Sequence, residues 1–544
     1  MVRDSKRISA PDNCSSPNNF KKKPELQNIV HDGIRNDGRA AGELRPISLQ
    51  VGIVPSVTGS AFLECGKTKV ICSVNGPRDI LIKSESSSKG QLYCEFKYAM
   101  FSCKERQSYL PTNEEMIISR SIQDALEPVI LLHKFPKSRL DIIIMVLEND
   151  GGAISAAITC AGAALLNAGV EMYDQPVGCS LVHCNSEFLV DPTAEEEFFS
   201  KSKEECKYMS LAMMVEYKNQ VIYMDSSGCA NYSLLSESLQ SIQTSCHQLL
   251  TEIRFCMIQH VNDSHKYDDE PNEKDIVKKA EAQLKLFQHQ KYMNAFLENS
   301  IRPDARSITK FRPVLIDISA IGTAFGSALV KLGRTSVLCG IKAELTNPLT
   351  NEPDKGFFVP NITLTSICSN RYVPGPPCEQ AQVYSQIVMD LWKNSSFIDP
   401  VDLCIIPNKL VWCLFVEMTC LSCDGNVLDA CILALMAALK NTKLPKVLVD
   451  EETNSIEVTD DLLDLKMNFV VLSVTYAQLG ESVIADPTSE EESLAKGSVT
   501  IFLKDNQEVN IHSVGPIKDD QLFHCIDCSK TRYSEMTTIL ESLN

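Results

Sequence analysis

Gly59-Ser60-Ala61-Phe62-Leu63-Glu64-Cys65-Gly66-Lys67-Thr68-Lys69-Val70-Ile71-Cys72 returns 267 residues later as Gly326-Ser327-Ala328-Leu329-Val330-Lys331-Leu332-Gly333-Arg334-Thr335-Ser336-Val337-Leu338-Cys339. The same interval relates Ile34-Arg35-Asn36-Asp37-Gly38-Arg39 to Ile301-Arg302-Pro303-Asp304-Ala305-Arg306, and Arg45-Pro46 to Arg312-Pro313. A register kept over that distance means one domain type present twice. In each copy the phrase predicts two apolar strands joined by Gly66-Lys67 or Gly333-Arg334, the glycine supplying the positive φ that a two-residue hairpin turn needs.

A chain of 544 residues is too long for one ordinary core. The repeat divides it into two domains of about 240 residues, each able to bury its own. Hydrophobic residues at 44% and charged residues at 22% exclude a disordered or fibrous class. No apolar run reaches the length of a membrane span, and Met1 to Lys23 lacks the apolar stretch of a secretory signal. The expectation is a protein soluble inside the cell, with no membrane partner. The 22 cysteines fall mostly within apolar strands and helices (Cys65, Cys72, Cys160, Cys339, Cys413, Cys431), which reads as buried reduced thiols rather than a disulfide frame. Cys420 with Cys423, and Cys525 with Cys528 and His524, have spacings that zinc can use. The two pairs are far apart in the chain and no knuckle glycines frame them, so they read as core cysteines; no metal and no cofactor is expected.

Four segments follow from the pattern. Residues 1–24 form a tail with six basic and two acidic residues, expected to be disordered. Residues 25–261 form the first domain. Residues 262–289 read as an acidic joint followed by a linker helix, with Ile276, Ala280, Leu284 and Phe287 on one face, and residues 290–544 form the second domain. A helix is expected near Glu114 to Leu132. In each copy a strand then passes through a tight turn into a helix: Leu140 to Leu147, Glu148-Asn149-Asp150-Gly151-Gly152 and Ala153 to Ala168 with Gly169 as cap, and again Leu410 to Cys420, Asp424-Gly425-Asn426 and Val427 to Leu439. Further on, Asp191-Pro192-Thr193-Ala194-Glu195-Glu196-Glu197 returns as Asp486-Pro487-Thr488-Ser489-Glu490-Glu491-Glu492.

These blocks, in this order, resemble the RNase PH family of phosphorolytic exoribonucleases and their relatives in the RNA exosome ring. The first copy is most similar to the component-six branch, through Gly59 to Glu64, Lys69 to Cys72, Asp150 to Gly152, Ala168 to Asp174 and Asp191 to Glu197. The second is most similar to the component-eight branch, through Arg302-Pro303-Asp304, Gly326 to Gly333, Pro353-Asp354-Lys355-Gly356, Lys409-Leu410-Val411-Trp412 and Asp429-Ala430-Cys431. The resemblance implies an α/β (α+β) fold: two tandem RNase PH-type domains, each of two βαβα halves like domain two of ribosomal protein S five, joined by a helical linker. It also implies a ring of six such domains around a channel that RNA threads, with components six and eight as neighbours. A tether between adjacent seats raises their effective concentration for assembly. The implied partners are the other ring subunits, RNA-binding cap subunits, RNA and an associated catalytic nuclease, in nucleus, nucleolus and cytoplasm.

Phosphorolysis requires a bound phosphate as nucleophile, held by donors at a helix N-terminus. Active members of the family are expected to place Thr-Arg or paired serines just after the Asp-Gly-Gly turn. This chain has Ala153-Ile154 and Val427-Leu428 there, so a phosphate would face apolar side chains with its charge unpaired. The family's pair of carboxylates is broken as well. Glu197 stands near the first position, but the second falls at Tyr208 in one copy and at Lys496-Gly497 in the other. Glu195 to Glu197 and Glu490 to Glu492 on their own read as solvated turns.

The net charge of −18 argues against a general nucleic-acid binder but leaves room for a local basic path. Candidate RNA contacts are Lys104, Arg106, Arg120, Lys134, Lys137 and Arg139, each with a solvated surface charge as the alternative. Arg120 has Asp124 four residues on as an ion-pair partner, while the second copy has Gln386 on the corresponding helix. The leading expectation is a non-catalytic structural subunit filling two adjacent ring positions and guiding RNA for 3′–5′ processing and decay. The alternative is an active phosphorolytic 3′–5′ exoribonuclease resembling polynucleotide phosphorylase. Against it, the sequence ends at Asn544 without the KH and OB modules that enzyme carries. A scaffold with no RNA role is the third reading.

Overall fold

The structure, a computed structural model, describes residues 7–8, 10–11, 13–21, 30–31, 34–79, 89–184, 187–202, 206–227, 232–265, 293, 296–297, 301–369, 371–372, 375–449, 456–480, 482–505, 507–516 and 518–542. They form two compact units. One comprises Lys22–His265 with Ser369–Arg371, the other Met1–Lys21, Lys266–Cys368 and Tyr372–Asn544.

The first unit opens with strands β1 (Ile47–Val51), β2 (Gly59–Cys65), β3 (Thr68–Asp79) and β4 (Gln91–Tyr98), followed by helix α1 (Asn113–Leu126), strand β5 (Ser138–Glu148) and helix α2 (Ala153–Asn167). The five strands make one sheet in the order β1-β2-β3-β5-β4, antiparallel except where α1 carries the chain across to lay β5 parallel to β4. Thr112 caps α1 reciprocally with Glu115. Next come β6 (Pro176–Cys184), β7 (Glu187–Val190), α3 (Ala194–Ser202), β8 (Lys207–Met214), β9 (Gln220–Ser227) and α4 (Tyr232–His265). These strands form a second sheet ordered β9-β8-β6-β7. Helix α2 is apolar on every side because both sheets flank it. Cys160 Sγ donates to Ala61 O at 3.4 Å in the first sheet, while Gly178 N in the second donates to Thr159 Oγ1 at 2.9 Å.

The second unit repeats this plan. Strands β10 (Val314–Ile318), β11 (Gly326–Leu332), β12 (Thr335–Thr346) and β13 (Phe357–Leu364), helix α5 (Glu379–Ser395), strands β14 (Cys404–Ile406) and β15 (Leu410–Ser422), and helix α6 (Val427–Lys440) correspond to the first half. The sheet runs β10-β11-β12-β15-β13 with β14 beside β15. A hairpin, β16 (Lys443–Val449) with β17 (Ile456–Asp464), precedes β18 (Val471–Leu479), β19 (Ser482–Ala485), α7 (Ser489–Leu494), β20 (Gly497–Lys504), β21 (Gln507–Val514) and α8 (Asp519–Glu541). Its second sheet runs β19-β18-β20-β21. The expected mixed α/β architecture is present in both units. Both hairpins turn on a two-residue loop, with Cys65 opposite Thr68, Leu332 opposite Thr335, and Gly66 and Gly333 at φ 58° and 60°.

Two boundaries differ from the sequence reading. Helix α4 runs on through residues 262–265, so the first domain extends into the segment read as a joint; the linker helix lies outside the described residues. The tail, expected to be disordered, packs on the second unit in its described part. Ser15 and Leu345 exchange backbone hydrogen bonds at 2.9 Å, Pro17–Phe20 form a 3₁₀ turn capped by Ser16, and Lys21 Nζ reaches Asp460 at 2.7 Å. Ile8, Ala10 and Cys14 lie against Val359, Cys413 and Phe415 on the sheet face turned away from α6. The basic residues dominated the composition, but these apolar side chains supply the burial that holds the segment.

A buried arginine–aspartate clamp joins the two halves of each unit. Arg45 donates from Nε and its own backbone N to Asp191 Oδ2 at 2.9 and 3.1 Å, from Nη2 to Asp191 Oδ1 at 2.5 Å, and from Nη1 to Asp150 O at 2.8 Å. Arg312 holds Asp486 from the same three donors, at 2.9, 2.8 and 2.7 Å, and Asp424 O at 2.8 Å. The turn before each core helix is thereby pinned to the Asp-Pro-Thr loop. Glycine is required in that turn. A Cβ on Gly425, at φ 79°, would fall 2.5 Å from Ser489 N, and one on Gly151, at φ 90°, 2.4 Å from Pro192 O.

Gly425→Ala is therefore expected to destabilise the second unit by about 2–4 kcal/mol in chemical denaturation. Gly169→Ala, with φ 70° but nothing within 4 Å, should cost only the strain. The clamp also sets an acid limit. Arg312 overcomes the effect of burial and holds Asp486 at about 2, so the stability it contributes is complete above pH 4 and is lost as pH falls toward 2. Asp486→Asn should lower the melting temperature at neutral pH, by leaving Arg312 buried without its counter-charge, and should flatten the melting temperature's fall between pH 4 and 2.

Candidate functional site

The clamp aims the next loop at the N-terminus of the core helix. Helix α2 begins after Gly152 and helix α6 after Asn426, both left-handed residues with no side-chain cap, so their first N–H groups face outward as an anion site would require. In both units that place is taken by the chain itself. Gly152 N donates to Glu197 Oε1 at 2.6 Å, and Asn426 N donates to Glu492 Oε1 at 2.6 Å. The carboxylate of the Asp-Pro-Thr loop stands where an external anion would be bound.

The acidic triplets are thus not solvated turns, contrary to the sequence reading. Each begins a short helix, and successive positions on a helix point about 100° apart, so the three carboxylates take three different tasks. The first is the outer one: Glu195 is exposed and paired to Lys104 at 2.9 Å, and Glu490 is half-buried. The second is buried and closes the loop. Glu196 accepts from Thr193 N at 2.9 Å and lies 3.8 Å from Arg35, while Glu491 accepts from Thr488 N and takes a two-pronged contact from Arg302. The third occupies the helix N-terminus.

Arginines around the site point away from any incoming anion. Arg35 donates to Ala41 O and Val190 O, and Arg302 to Ala485 O and Asp486 O, so both are consumed by backbone carbonyls. Ala153, Val427 and Leu428 are buried and Ile154 is half-buried, as apolar side chains flanking these N–H groups should be. Tyr208 lies close to Glu197, and burial raises its phenol well above the usual tyrosine range, which makes it a poor proton donor. In the second unit Asp429 is half-buried and accepts from Ser473 Oγ at 2.7 Å and Thr475 N at 2.8 Å. Glu492 keeps more than a third of its surface open to solvent; partial desolvation of its carboxylate, with the negative charges of Asp429 and Asp486, pushes it upward against the pull of Asn426 N–H and Arg312. An added phosphate would meet this negative cluster at short range, where like charges repel by about 1–4 kcal/mol even with partial screening.

The six candidate RNA contacts are scattered. Lys104 is paired to the plug-bearing loop, and Arg120 is paired with Asp124 at 3.1 Å, an arrangement that Gln386 and Asp390 reproduce at 2.9 Å in the second unit. Lys134 forms an ion pair with Glu171. Arg139 reaches Asp141 at 2.5 Å and lies 4.3 Å over the Tyr93 ring, with Lys137 exposed two residues before it. Arg106 is half-buried on the loop before α1 and engages neighbouring groups. Sequence reasoning did not single out Arg78, which shares Asp141 with Arg139 from the adjacent strand. Nor did it assign tasks to Arg45, Arg312 and Glu492, and it placed Glu197 only near a position of the family's carboxylate pair. Their signal was repetition: each recurs at the same point of both copies.

The 3′ exoribonuclease family, domain 1, matches residues 43–171 and again 310–445, and the family's domain 2 matches residues 470–532. Exosome complex component rrp43 of Schizosaccharomyces pombe is 35% identical over 248 residues, covering 45% of this chain and 92% of that protein. Exosome complex component Rrp42 of Thermococcus kodakarensis is 35% identical over 243 residues, covering 44% of this chain and 89% of that protein. Among solved structures, a chain of the Archaeoglobus fulgidus exosome with RNA bound to the active site is 31% identical, with a TM-score of 0.42, covering 46% of this chain and 96% of that one. With the first-domain model matched twice and a relative aligned over nearly its whole length, this chain belongs to the RNase PH family of 3′ exoribonucleases, as a tandem of two such domains.

Proposed function

We propose that the chain is a non-catalytic subunit of the RNA exosome core, filling two adjacent positions of its ring and guiding RNA toward a nuclease carried by another subunit. The observation that carries this reading is the carboxylate on each helix N-terminus, Glu197 on Gly152 N and Glu492 on Asn426 N, both at 2.6 Å. Phosphorolysis needs an inorganic phosphate at that point. To enter, it would have to break a charge-assisted hydrogen bond worth about 1.5–3 kcal/mol and then sit beside the displaced carboxylate. Membership of an exosome is supported by the relatives, which are named as its components. The other ring subunits, cap subunits and a catalytic nuclease would then be partners, in both nuclear and cytoplasmic pools.

The RNA-guiding role is supported by the patch around Asp141. That buried carboxylate neutralises the inner faces of Arg78 and Arg139, whose outer parts stay open to solvent, and Tyr93 lies flat under Arg139. A guanidinium stacked on a ring beside a second arginine suits a phosphate with its neighbouring base, even on a protein of net charge −18.

Incubated with single-stranded RNA, magnesium and inorganic phosphate, the purified chain should release no nucleoside diphosphates; release that rises with phosphate concentration would overturn the non-catalytic reading. Co-expressed with the remaining ring subunits, it should purify with them in one assembly. Replacing both Arg78 and Arg139 by alanine should weaken RNA binding about 3–10-fold and lower the salt dependence by about one to two phosphate contacts, measured by fluorescence anisotropy across a salt series. An unchanged slope would remove this patch from the path.

A further inference from the structure

We propose that Cys184 and Cys206 are a built-in redox pair, closing to a disulfide that locks the plug-bearing loop of the first domain. Three observations place them together, and none depends on the proposed exosome role. First, their sulfurs are 2.7 Å apart, well inside the separation of two unbonded sulfur atoms. Second, the register sets them opposite each other. Strands β6 and β8 are antiparallel with His183 facing Lys207, so the next rung outward is Cys184 facing Cys206. Facing residues on antiparallel strands have Cα atoms about 4.5–5.5 Å apart, within the range that a disulfide spans without moving the backbone. Third, both side chains are buried, at 3% and 5% exposure, in a small apolar cluster with Val182, Leu189 and Phe199. An apolar enclosure keeps both sulfurs in place.

The segment between the two cysteines is the one that matters to the site. It contains β7, Asp191 of the clamp, and helix α3 with Glu196 and Glu197, and Phe199 of α3 rests in the same cluster as the sulfurs. A bond from Cys184 to Cys206 would tie both ends of this loop at the sheet and hold Glu197 on the helix N-terminus. The second copy has no such device. There the corresponding rung, one beyond Gln478 facing Gly497, places Leu479 opposite Lys496. The pair therefore belongs to the first domain alone rather than to the shared fold.

The chemistry balances with hydrogen peroxide as oxidant. One thiol, as thiolate, attacks the peroxide and becomes a sulfenic acid with release of water; the second thiol displaces hydroxide from that sulfur, giving the disulfide and a second water. Two thiols are oxidised by two electrons and the peroxide is reduced by two. A thiol reductant such as dithiothreitol reverses the change.

The test uses the full chain, reduced and then exposed to stoichiometric peroxide, with free thiols blocked before digestion and mass mapping. A peptide linking Cys184 to Cys206 should form before any other pair among the 22 cysteines and disappear with dithiothreitol. The oxidised first domain should melt about 5–10 °C higher than the reduced one, as expected for a closed loop of this length. Cys184→Ala and Cys206→Ala should each abolish the linked peptide and the peroxide-dependent shift. Should either variant fail to fold, the wild-type peptide map still decides. Peroxide that leaves both thiols open to alkylation in the folded protein, or links them only after urea unfolding, would overturn the proposal.

Discussion

Arg45 on Asp191, and Arg312 on Asp486, are the contacts on which the rest of each unit rests. Each arginine starts near the first strand of the first sheet, crosses to a carboxylate at the end of the second sheet, and on the way takes the carbonyls of the turn before the core helix. One side chain thus fixes three segments far apart in sequence. An ion pair removed from water gains little unless its remaining polar positions are satisfied, and here backbone N–H and carbonyl groups of the same loops do so. The positive φ of Asp191 and Asp486, near 50° in both units, is sustained by the same net of bonds.

This framework explains how the N-terminus of each core helix is satisfied from within the chain. A helix N-terminus left bare inside a protein is itself costly, since its N–H groups need acceptors. The clamp delivers the Asp-Pro-Thr loop to that place, and a glutamate one helical turn further on reaches the free N–H. The acceptor is tethered, so no diffusible anion has to be ordered. Apolar residues at 153, 154, 427 and 428 then become compatible with the site, because they no longer have to face a naked phosphate.

Much of the architecture was legible because it is written in local periods. The hairpins at Gly66 and Gly333, the buried strands Ser138–Glu148 and Leu410–Ser422, and the starts of the two core helices follow from apolar runs and turn residues alone. The acidic triplets were misread for the opposite reason. Nothing near Glu197 in the sequence announces Gly152, 45 residues back, and a run of like charges in isolation favours solvent. The tail was misread because composition averages over position: six basic residues outweigh Ile8, Ala10, Cys14 and Phe20 in a count, yet those four make the apolar contacts that bury the segment.

The differences between the copies show which parts of this solution are free to vary. Gly152 and Asn426 occupy the same left-handed position, but asparagine adds an amide that donates to Asp486 Oδ1 at 2.7 Å, so the second unit ties its helix N-terminus to the clamp directly. The second unit also places a half-buried Asp429 one turn into the helix, held by Ser473 and Thr475, where the first has Ser155. Partial desolvation pushes Glu492 upward, and the negative charge of Asp429 beside the second plug adds to that shift. In the first unit Arg45, Ser180 and Ser155 surround the leading glycine and Tyr208 lies near Glu197, while Phe199 of the loop packs in one cluster with the two cysteines. Two different sets of supports thus keep one geometry, a carboxylate 2.6 Å from the leading N–H of the core helix. That agreement between two copies with different supports marks the contact as a requirement of the fold.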